Sequence, residues 1–151
     1  MRDFGKCEKT RCDPVIPVEA HNCRFVIRNP KRLEVRVVDI ECFLKDADWP
    51  RCDWLFVPAG DPTEVYVELK RTYDSAAIRQ IEETIPRVSE NKSSVPKVCY
   101  IVSLHNPVPR WDTTLQRART RFGKRYNARL LTKKTPTEHK LTGIAPPKRS
   151  T

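Results

Sequence analysis

Two acidic side chains and one lysine lie at the ends of two neighbouring apolar runs. Asp53 precedes the run 54–57, and Glu68-Leu69-Lys70 ends the next run, which begins at Glu64. Residues separated by one position in a strand point to the same face, so Glu68 and Lys70 project together. If the two runs pair as a hairpin, the start of the first lies opposite the end of the second. Asp53 is then expected beside Glu68 and Lys70.

Two carboxylates and an ammonium group on one patch can do phosphate chemistry. Mg²⁺ prefers carboxylate, water and phosphate oxygens. A lysine beside them can orient or help deprotonate a water, or neutralise charge that develops on a phosphate. The alternative is a surface salt bridge on a solvated strand face, although the apolar flanks favour the ends of a buried sheet. Gln80, on the helix predicted next, could reach back toward the patch or be a polar surface residue.

The order of Asp53, Glu68-Leu69-Lys70 and a helix bearing Gln80 resembles the PD-(D/E)xK nuclease superfamily, the restriction-endonuclease-like proteins. The similarity spans about residues 35–104. It implies an α/β fold with an αβββαβ core, a central mixed sheet flanked by helices, and Mg²⁺- or Mn²⁺-dependent hydrolysis of phosphodiester bonds. It also implies that Asp53 and Glu68 bind the metal, that Lys70 is the catalytic lysine, and that Gln80 is the glutamine many members carry.

The sequence departs from the superfamily pattern in two places. Cys52 stands where a proline is expected before the aspartate. Many members also carry an acidic residue on an N-terminal helix, whereas the segment before Asp53 is predicted to be a strand. The nearest acids there are Asp39 and Glu41, and Asp39 is the favoured third metal ligand. The resemblance further implies a homodimer, since small nucleases of this type often use two sites for two strands.

The positive charge is concentrated in the last third of the chain. The formal net charge is +10, yet residues 1–100 hold 17 basic and 17 acidic side chains. Residues 101–151 hold 12 basic side chains, with Asp112 and Glu138 as their acids. This asymmetry favours a polyanionic partner, although a solubilising basic tail is the alternative. The predicted nucleic-acid-binding residues on and around the last helix are Arg110, Arg117, Arg119, Arg121, Lys124, Arg125 and Arg129.

The periodicity of the chain predicts the elements that position these residues. Strands are expected over 24–28, 33–43, 52–57, 64–70, 95–104 and 128–131. Helices are expected from Asp74 or Ser75 to Val88, and from Asp112 or Thr113 to Phe122, where Gly123 would end the helix. We expect a single nuclease-like domain over 1–132 that includes an irregular N-terminal arm, 1–22. A basic, proline-containing flexible tail is expected over 133–151.

The cysteines and histidines indicate no defined site. The N-terminus lacks the pattern of a secretory signal and no apolar run is long enough for a membrane helix, so a cytoplasmic protein with reduced thiols is expected. Cys42, Cys52 and Cys99 are predicted to be buried thiols. A zinc site from Cys7, Cys12, His21 and Cys23 is an alternative, but its spacing matches no regular ligand pattern.

These observations lead to three functional hypotheses. The first is a metal-dependent nuclease acting on DNA rather than RNA, in DNA processing or in phage or host defence. The second is a non-catalytic nucleic-acid-binding protein on the same fold. The third is an interaction module whose basic surface meets an acidic protein partner.

Overall fold

The computed structural model describes residues 2–46, 48–105 and 112–143, which form a mixed α/β fold around a central mixed sheet. The strands in the described part of the chain are β1 (Glu8–Arg11), β2 (Val15–Ala20), β3 (Cys23–Arg28), β4 (Val35–Asp39), β5 (Trp54–Pro58), β6 (Glu64–Lys70), β7 (Lys97–Ser103), β8 (Ala128–Lys134) and β9 (Thr137–Lys140). The helices are α1 (Ile40–Phe43), α2 (Ala76–Val88) and α3 (Thr113–Tyr126), and a 3-10 turn spans Gly5–Cys7.

The central sheet has six strands in the order β1-β4-β5-β6-β7-β8. β1, β4, β5 and β6 pair antiparallel, and β7 and β8 extend the sheet in parallel with β6. The hairpin considered for the runs 54–57 and 64–70 is therefore confirmed. β7 is buried along almost all of its length, as its continuous apolar run predicts.

In the described part of the chain, helices cover one face of the central sheet. Leu55 and Tyr66 point to this face and pack with Ile81 of α2 and Phe122 of α3. The opposite face is covered by a second sheet of three strands, in the order β2-β3-β9. Phe25 of β3 packs there on Phe56 of β5, with ring centroids 5.9 Å apart. The expectation of a sheet flanked by helices thus holds for one face. Strands from both ends of the chain cover the other face.

The N-terminal arm and the C-terminal tail both differ from their predictions. Residues 1–22 contain β1, on the edge of the central sheet, and β2 of the small sheet. β9 pairs in parallel with β3, and Leu141 is buried behind it. In both segments the alternation of apolar and polar residues is too short to predict a strand. Pairing with neighbouring strands determines their conformation. Residues 144–151 of the predicted tail lie outside the described residues.

Two element ends also differ from expectation. The strand predicted over 33–43 ends at Asp39, whose carboxylate accepts a hydrogen bond from the Cys42 amide at 3.0 Å and caps α1. The helix predicted to stop at Gly123 continues to Tyr126. It ends at Asn127, which adopts the left-handed conformation with φ 51°.

A disulfide joins Cys7 to Cys42, with their Cα atoms 5.6 Å apart. The expectation of reduced thiols is wrong for this pair. The pairing of β1 with β4 brings the turn before β1 against α1, and this distance suits a disulfide. Cys23, Cys52 and Cys99 are free and buried, and Cys12 is free and exposed.

Cys42→Ser is expected to lower the free energy of unfolding of the oxidised protein. The bond links residues 35 positions apart. Closing a loop of this length restricts the unfolded chain by about 3–4 kcal/mol. Urea unfolding with and without reductant measures the difference, and Cys12→Ser serves as the matched control. A wild-type midpoint that reductant leaves unchanged would contradict a stabilising role for this bond.

Candidate active site

The β5–β6 hairpin places Asp53 next to the end of β6. The Asp53 amide donates to the Val67 carbonyl at 3.2 Å, just before the register in which Trp54 lies opposite Val67. Asp53 Oδ2 accepts a hydrogen bond from the Leu69 amide at 2.8 Å. Strand alternation puts Glu68 and Lys70 on the same face as Tyr66, the face covered by the helices. The predicted meeting of Asp53, Glu68 and Lys70 is confirmed.

Glu68 is a buried carboxyl group that lacks a hydrogen-bond partner for one of its oxygens. The residue is 3% exposed, and its Oε1 has no hydrogen-bond partner. Burial is the largest cause that raises the pKa of Glu68 to about 9, and the neighbouring Asp53 charge raises it further. The Lys70 charge and the Gln80 amide act in the opposite direction. An acid in this position favours either a proton or a bound cation.

Asp53 shares its environment with Glu68. Burial raises the pKa of Asp53, while the hydrogen bond from the Leu69 amide lowers it. A hydrogen bond between the two carboxyl groups lowers the pKa of Asp53 and raises that of Glu68. The two groups therefore titrate as a pair, in which Asp53 ionises first.

Lys70 lies at the opening of the site. Its Nζ is 4.0 Å from Glu68 Oε2 and 3.9 Å from Asp74 Oδ1, so it makes no tight ion pair with either carboxylate. The Lys70 side chain is 23% exposed. The ammonium group thus keeps hydrogen-bonding capacity for a water or a phosphate that approaches from solvent.

Gln80 of α2 lies close to Glu68. Its Nε2 donates to the Arg51 carbonyl at 3.1 Å, and its Oε1 is buried with no partner. Thr84, one turn further along α2, holds the helix against the segment before Asp53. Thr84 Oγ1 donates to the Gln80 carbonyl at 2.7 Å and accepts from the Cys52 amide at 2.9 Å. Of the two predicted alternatives for Gln80, the structure therefore has the side chain that reaches back toward the carboxylate pair.

Asp39 does not join the carboxylate pair. It ends β4 opposite Trp54, on the face that the small sheet covers, and its carboxylate caps α1. This placement corrects the expectation of Asp39 as the third metal ligand, because strand alternation points Asp39 and Asp53 to opposite faces. Glu41 is nearer, since its charge raises the pKa of Asp53, but its carboxylate is ion-paired with Arg51 at 2.8 Å.

Across residues 2–46, 48–105 and 112–143, no group of three or more His, Cys, Asp or Glu side chains is placed to hold a metal ion. An ion at the carboxylate pair would therefore use Asp53, Glu68 and the Gln80 amide oxygen, completed by water or substrate. The zinc alternative has lost a ligand, because the Cys7 sulfur is bonded to Cys42. Cys23 donates to the Lys70 carbonyl at 3.3 Å.

Some basic residues around α3 are bonded within the protein, and the others are exposed. Arg121 forms a two-bond ion pair with Glu82 of α2 at 2.6 and 2.8 Å. Arg119 donates to the Leu130 carbonyl at 3.0 Å. Both side chains thus anchor α3, which reduces the predicted nucleic-acid contact. The exposed members of the predicted set are Arg117, Lys124, Arg125 and Arg129, and Arg110 lies outside the described residues.

Two polar residues extend the Lys70 face: Ser103, which sequence reasoning missed, and Lys134, which was expected to extend the nucleic-acid contact from a flexible tail. In the parallel register Ser103 lies beside Lys70, and Lys134 lies beside Ser103. Residues in register on neighbouring strands share a face, so Lys134 adds a second cation to the edge where β6, β7 and β8 end. Sequence alone gives no parallel register, and Lys134 was expected in the tail. His21, in the turn between β2 and β3, is also near, because its charge lowers the pKa of Asp53.

Comparison with known proteins gives no family for this chain. No protein-family model, curated protein or solved structure matches it. A functional conclusion therefore depends on the geometry of the site. In the described part of the chain, no helix is long and apolar enough to cross a membrane.

Proposed function

We propose that the protein is a metal-dependent nuclease that hydrolyses DNA phosphodiester bonds on a restriction-endonuclease-like core. The observation that carries the proposal is the buried Glu68 carboxyl group, which lies beside Asp53 with one oxygen unpartnered. A purely structural carboxylate would be expected to have donors, because an unsatisfied buried charge costs several kcal/mol. The order β4-β5-β6-α2-β7 supports the proposal because it matches the βββαβ part of the αβββαβ core that the resemblance implies. In the described part of the chain, a 3-10 turn and three strands precede β4 in place of the first helix.

The donor set suits a hard divalent cation. Glu68 Oε1 and Gln80 Oε1 are both buried acceptors without a donor, and Asp53 adds a second carboxylate. Mg²⁺ and Mn²⁺ favour such oxygen ligands and retain several waters, so two carboxylates and an amide are a sufficient protein contribution. A bound cation would supply a Lewis acid that polarises a phosphate oxygen and lowers the pKa of a bound water.

The chain's own groups have distinct roles in this proposal. Asp53 and Glu68 hold the ion, and the Leu69 amide fixes the orientation of Asp53. Lys70 orients the attacking water or neutralises charge on the phosphate, since its ammonium group faces both the pair and solvent. Gln80 fixes α2 to the segment before Asp53 and faces Glu68.

The surrounding surface favours a phosphate backbone. Lys70 and Lys134 lie on one face at the end of the parallel strands, and Arg71 follows Lys70 as an exposed residue. α2 follows β6 and α3 follows β7, and both strands end at this edge, so the positive N-terminal ends of the two helices face the same side. Arg117 and Lys124 extend the positive charge along α3. Such contacts give affinity without sequence readout.

The proposal predicts metal-dependent cleavage. Purified protein is expected to cleave plasmid or single-stranded DNA with Mg²⁺ or Mn²⁺ and to be inactive in EDTA. Asp53→Asn should abolish cleavage, because it weakens the metal site while its amide oxygen can still accept the Leu69 hydrogen bond. Parallel RNA substrates test the expected preference for DNA, and light scattering during cleavage of duplex DNA tests for a homodimer.

The outcomes separate the remaining hypotheses. DNA binding without cleavage under any metal condition would favour a non-catalytic nucleic-acid-binding protein. Salt-sensitive binding to an acidic protein but not to DNA would favour an interaction module. Cleavage that Asp53→Asn leaves unchanged would contradict the proposed site, since a contaminating nuclease would then account for it.

A further inference from the structure

A cleft lies on the side of the central sheet opposite the carboxylate pair. It has a volume of about 270 Å³ and lies between β1 and β4 of the central sheet and β2 of the small sheet. β1 and β2 are each the edge strand of their sheet, so the cleft opens where the two edges diverge. Trp54 lies at one end of the cleft and immediately follows Asp53 in the chain.

The floor of the cleft is apolar and contains an aromatic ring. Ile16 and Val18 of β2 face Val37 of β4 and the partly buried Trp54 ring across the cleft. A flat, unsaturated ligand would gain contact area with these groups and could stack on the indole. The volume lies just below the usual range for small-molecule pockets, which fits one ring system with a substituent at the rim.

The rim of the cleft is cationic. Lys6, Lys9 and Arg11 line it, and Asp39 is its acidic member. Arg11 is ion-paired with Asp13. In the described part of the chain, Lys6 and Lys9 have no carboxylate partner. Two exposed ammonium groups above an apolar floor indicate a ligand that joins an anion to a flat ring.

The spacing along β1 and β4 matches the parts of one nucleotide. Asp39 and Trp54 lie opposite each other at one end, and Lys9 lies opposite Val37, two residues along β4. Two residues of strand correspond to about 7 Å. A base stacked on Trp54 would therefore place its sugar along the floor and its phosphate near Lys9. Asp39 accepts from Cys42 through Oδ1, which leaves Oδ2 to accept an N–H of the base.

We propose that this cleft binds a nucleoside monophosphate unit, either as a free nucleotide or as an unpaired nucleotide of a single strand. Trp54 stacks on the base, and Lys6 and Lys9 bind the phosphate. The site goes beyond the proposed nuclease activity, because it shares no side chain with the carboxylate pair. Trp54 and Asp53 are adjacent in the chain but point to opposite faces, so a strand that rounds this end of the sheet would reach both places.

Binding of deoxyadenosine monophosphate in EDTA tests the proposal without any contribution from metal or cleavage. Titration should quench tryptophan fluorescence saturably, and Trp54→Phe should remove the quenching, whereas Trp49→Phe should not. Lys6→Ala/Lys9→Ala should weaken binding about tenfold, because each rim charge contributes a factor of a few. Deoxyadenosine, which lacks the phosphate, should bind more weakly and be insensitive to the lysine change.

The matched control is Lys31→Ala/Lys92→Ala, which removes the same charge from exposed positions that do not line the cleft. It should leave nucleotide affinity unchanged. Competition then distinguishes the two sources of the nucleotide. Displacement of deoxyadenosine monophosphate by a single-stranded oligonucleotide, but not by a blunt duplex, indicates that the cleft binds an unpaired nucleotide of a strand. Displacement by neither indicates that it binds a free nucleotide.

Absence of saturable quenching, or equal affinity in the wild type and in Lys6→Ala/Lys9→Ala, would overturn the proposal. The lysines are exposed, so their replacement is not expected to impair folding. The binding measurement repeated in Glu68→Gln should give the wild-type affinity. Failure of the nuclease proposal would therefore leave this result intact, and failure of the cleft proposal would leave metal-dependent cleavage intact.

Discussion

Glu68→Gln is expected to abolish metal-dependent cleavage and to make the metal-free protein more stable at pH 8. Both effects have one cause, the buried carboxyl group whose pKa is raised to about 9 by burial and by the Asp53 charge. An amide cannot supply the negative charge that a divalent cation requires, so the cleavage rate should fall to the level in EDTA. The same amide is neutral at every pH and has no ionisation cost.

The direction of the pH effect follows from the two pKa values. The unfolded chain releases the Glu68 proton near pH 4.5, whereas the folded protein keeps it until about pH 9. Between these values the unfolded state binds fewer protons, so the free energy of unfolding falls as the pH rises. The contribution of Glu68 to this slope is at most about 1.4 kcal/mol per pH unit, because the two states differ by one proton at this group. Glu68→Gln removes this contribution to the slope.

Urea unfolding in EDTA from pH 5 to pH 9 measures the slope, and DNA cleavage with Mn²⁺ measures activity. Glu83→Gln is the matched control. It also removes one carboxylate, but from α2, where Glu83 forms an ion pair with Arg87 away from the site. Mn²⁺ should raise the midpoint of the wild type but not that of Glu68→Gln. A variant that keeps cleavage, or that has the wild-type pH slope, would contradict the assignment of Glu68.

Lys70→Met is expected to reduce cleavage by about 10²- to 10⁴-fold while DNA binding stays near the wild-type level. Lys70 is one cation among several on this surface, so its removal changes affinity little. Its Nζ lies 4.0 Å from Glu68 Oε2, which places its charge beside the proposed reaction. Loss of its charge should also raise the pKa of Glu68, because the Lys70 charge lowers that pKa in the wild type.

Lys70→Arg separates charge from proton transfer. Arginine keeps the positive charge but does not exchange a proton near neutral pH. Recovery of activity in Lys70→Arg would indicate charge stabilisation, and continued loss would indicate that Lys70 orients or deprotonates the water. Lys92→Met, an exposed lysine in the loop after α2, is the control. If both methionine variants lose the same activity, Lys70 has no specific role.

The site was largely predictable because local rules determine it. Alternation along β6 fixes Glu68 and Lys70 on one face, and a short hairpin fixes Asp53 opposite them. Gln80 follows from the helical stripe that packs α2 on the sheet. Each of these placements depends on residues that are close together in the chain, so the sequence alone is enough to predict it.

The other features depend on contacts between distant segments. Asp39 and Asp53 point to opposite faces because Asp39 lies opposite Trp54 in the β4–β5 register, and strand alternation turns Asp53 to the other face. The Cys7–Cys42 disulfide and the position of Lys134 require the β1–β4 and β7–β8 registers. The periodicity of a single segment does not show how that segment pairs with another strand. The strands β1 and β9 are also too short for their alternation of apolar and polar residues to predict a strand.

The parallel pairing of β9 with β3 sets an order for folding. The Arg24 amide donates to Thr135 Oγ1, a residue 111 positions later, at 2.8 Å. Contacts of such high sequence separation form late, because a long chain must first be closed into a loop. During synthesis β2 and β3 must therefore wait, with one edge unpaired, until residues 137–140 have left the ribosome. Removal of the segment after 132 would make that exposed edge permanent and favour aggregation.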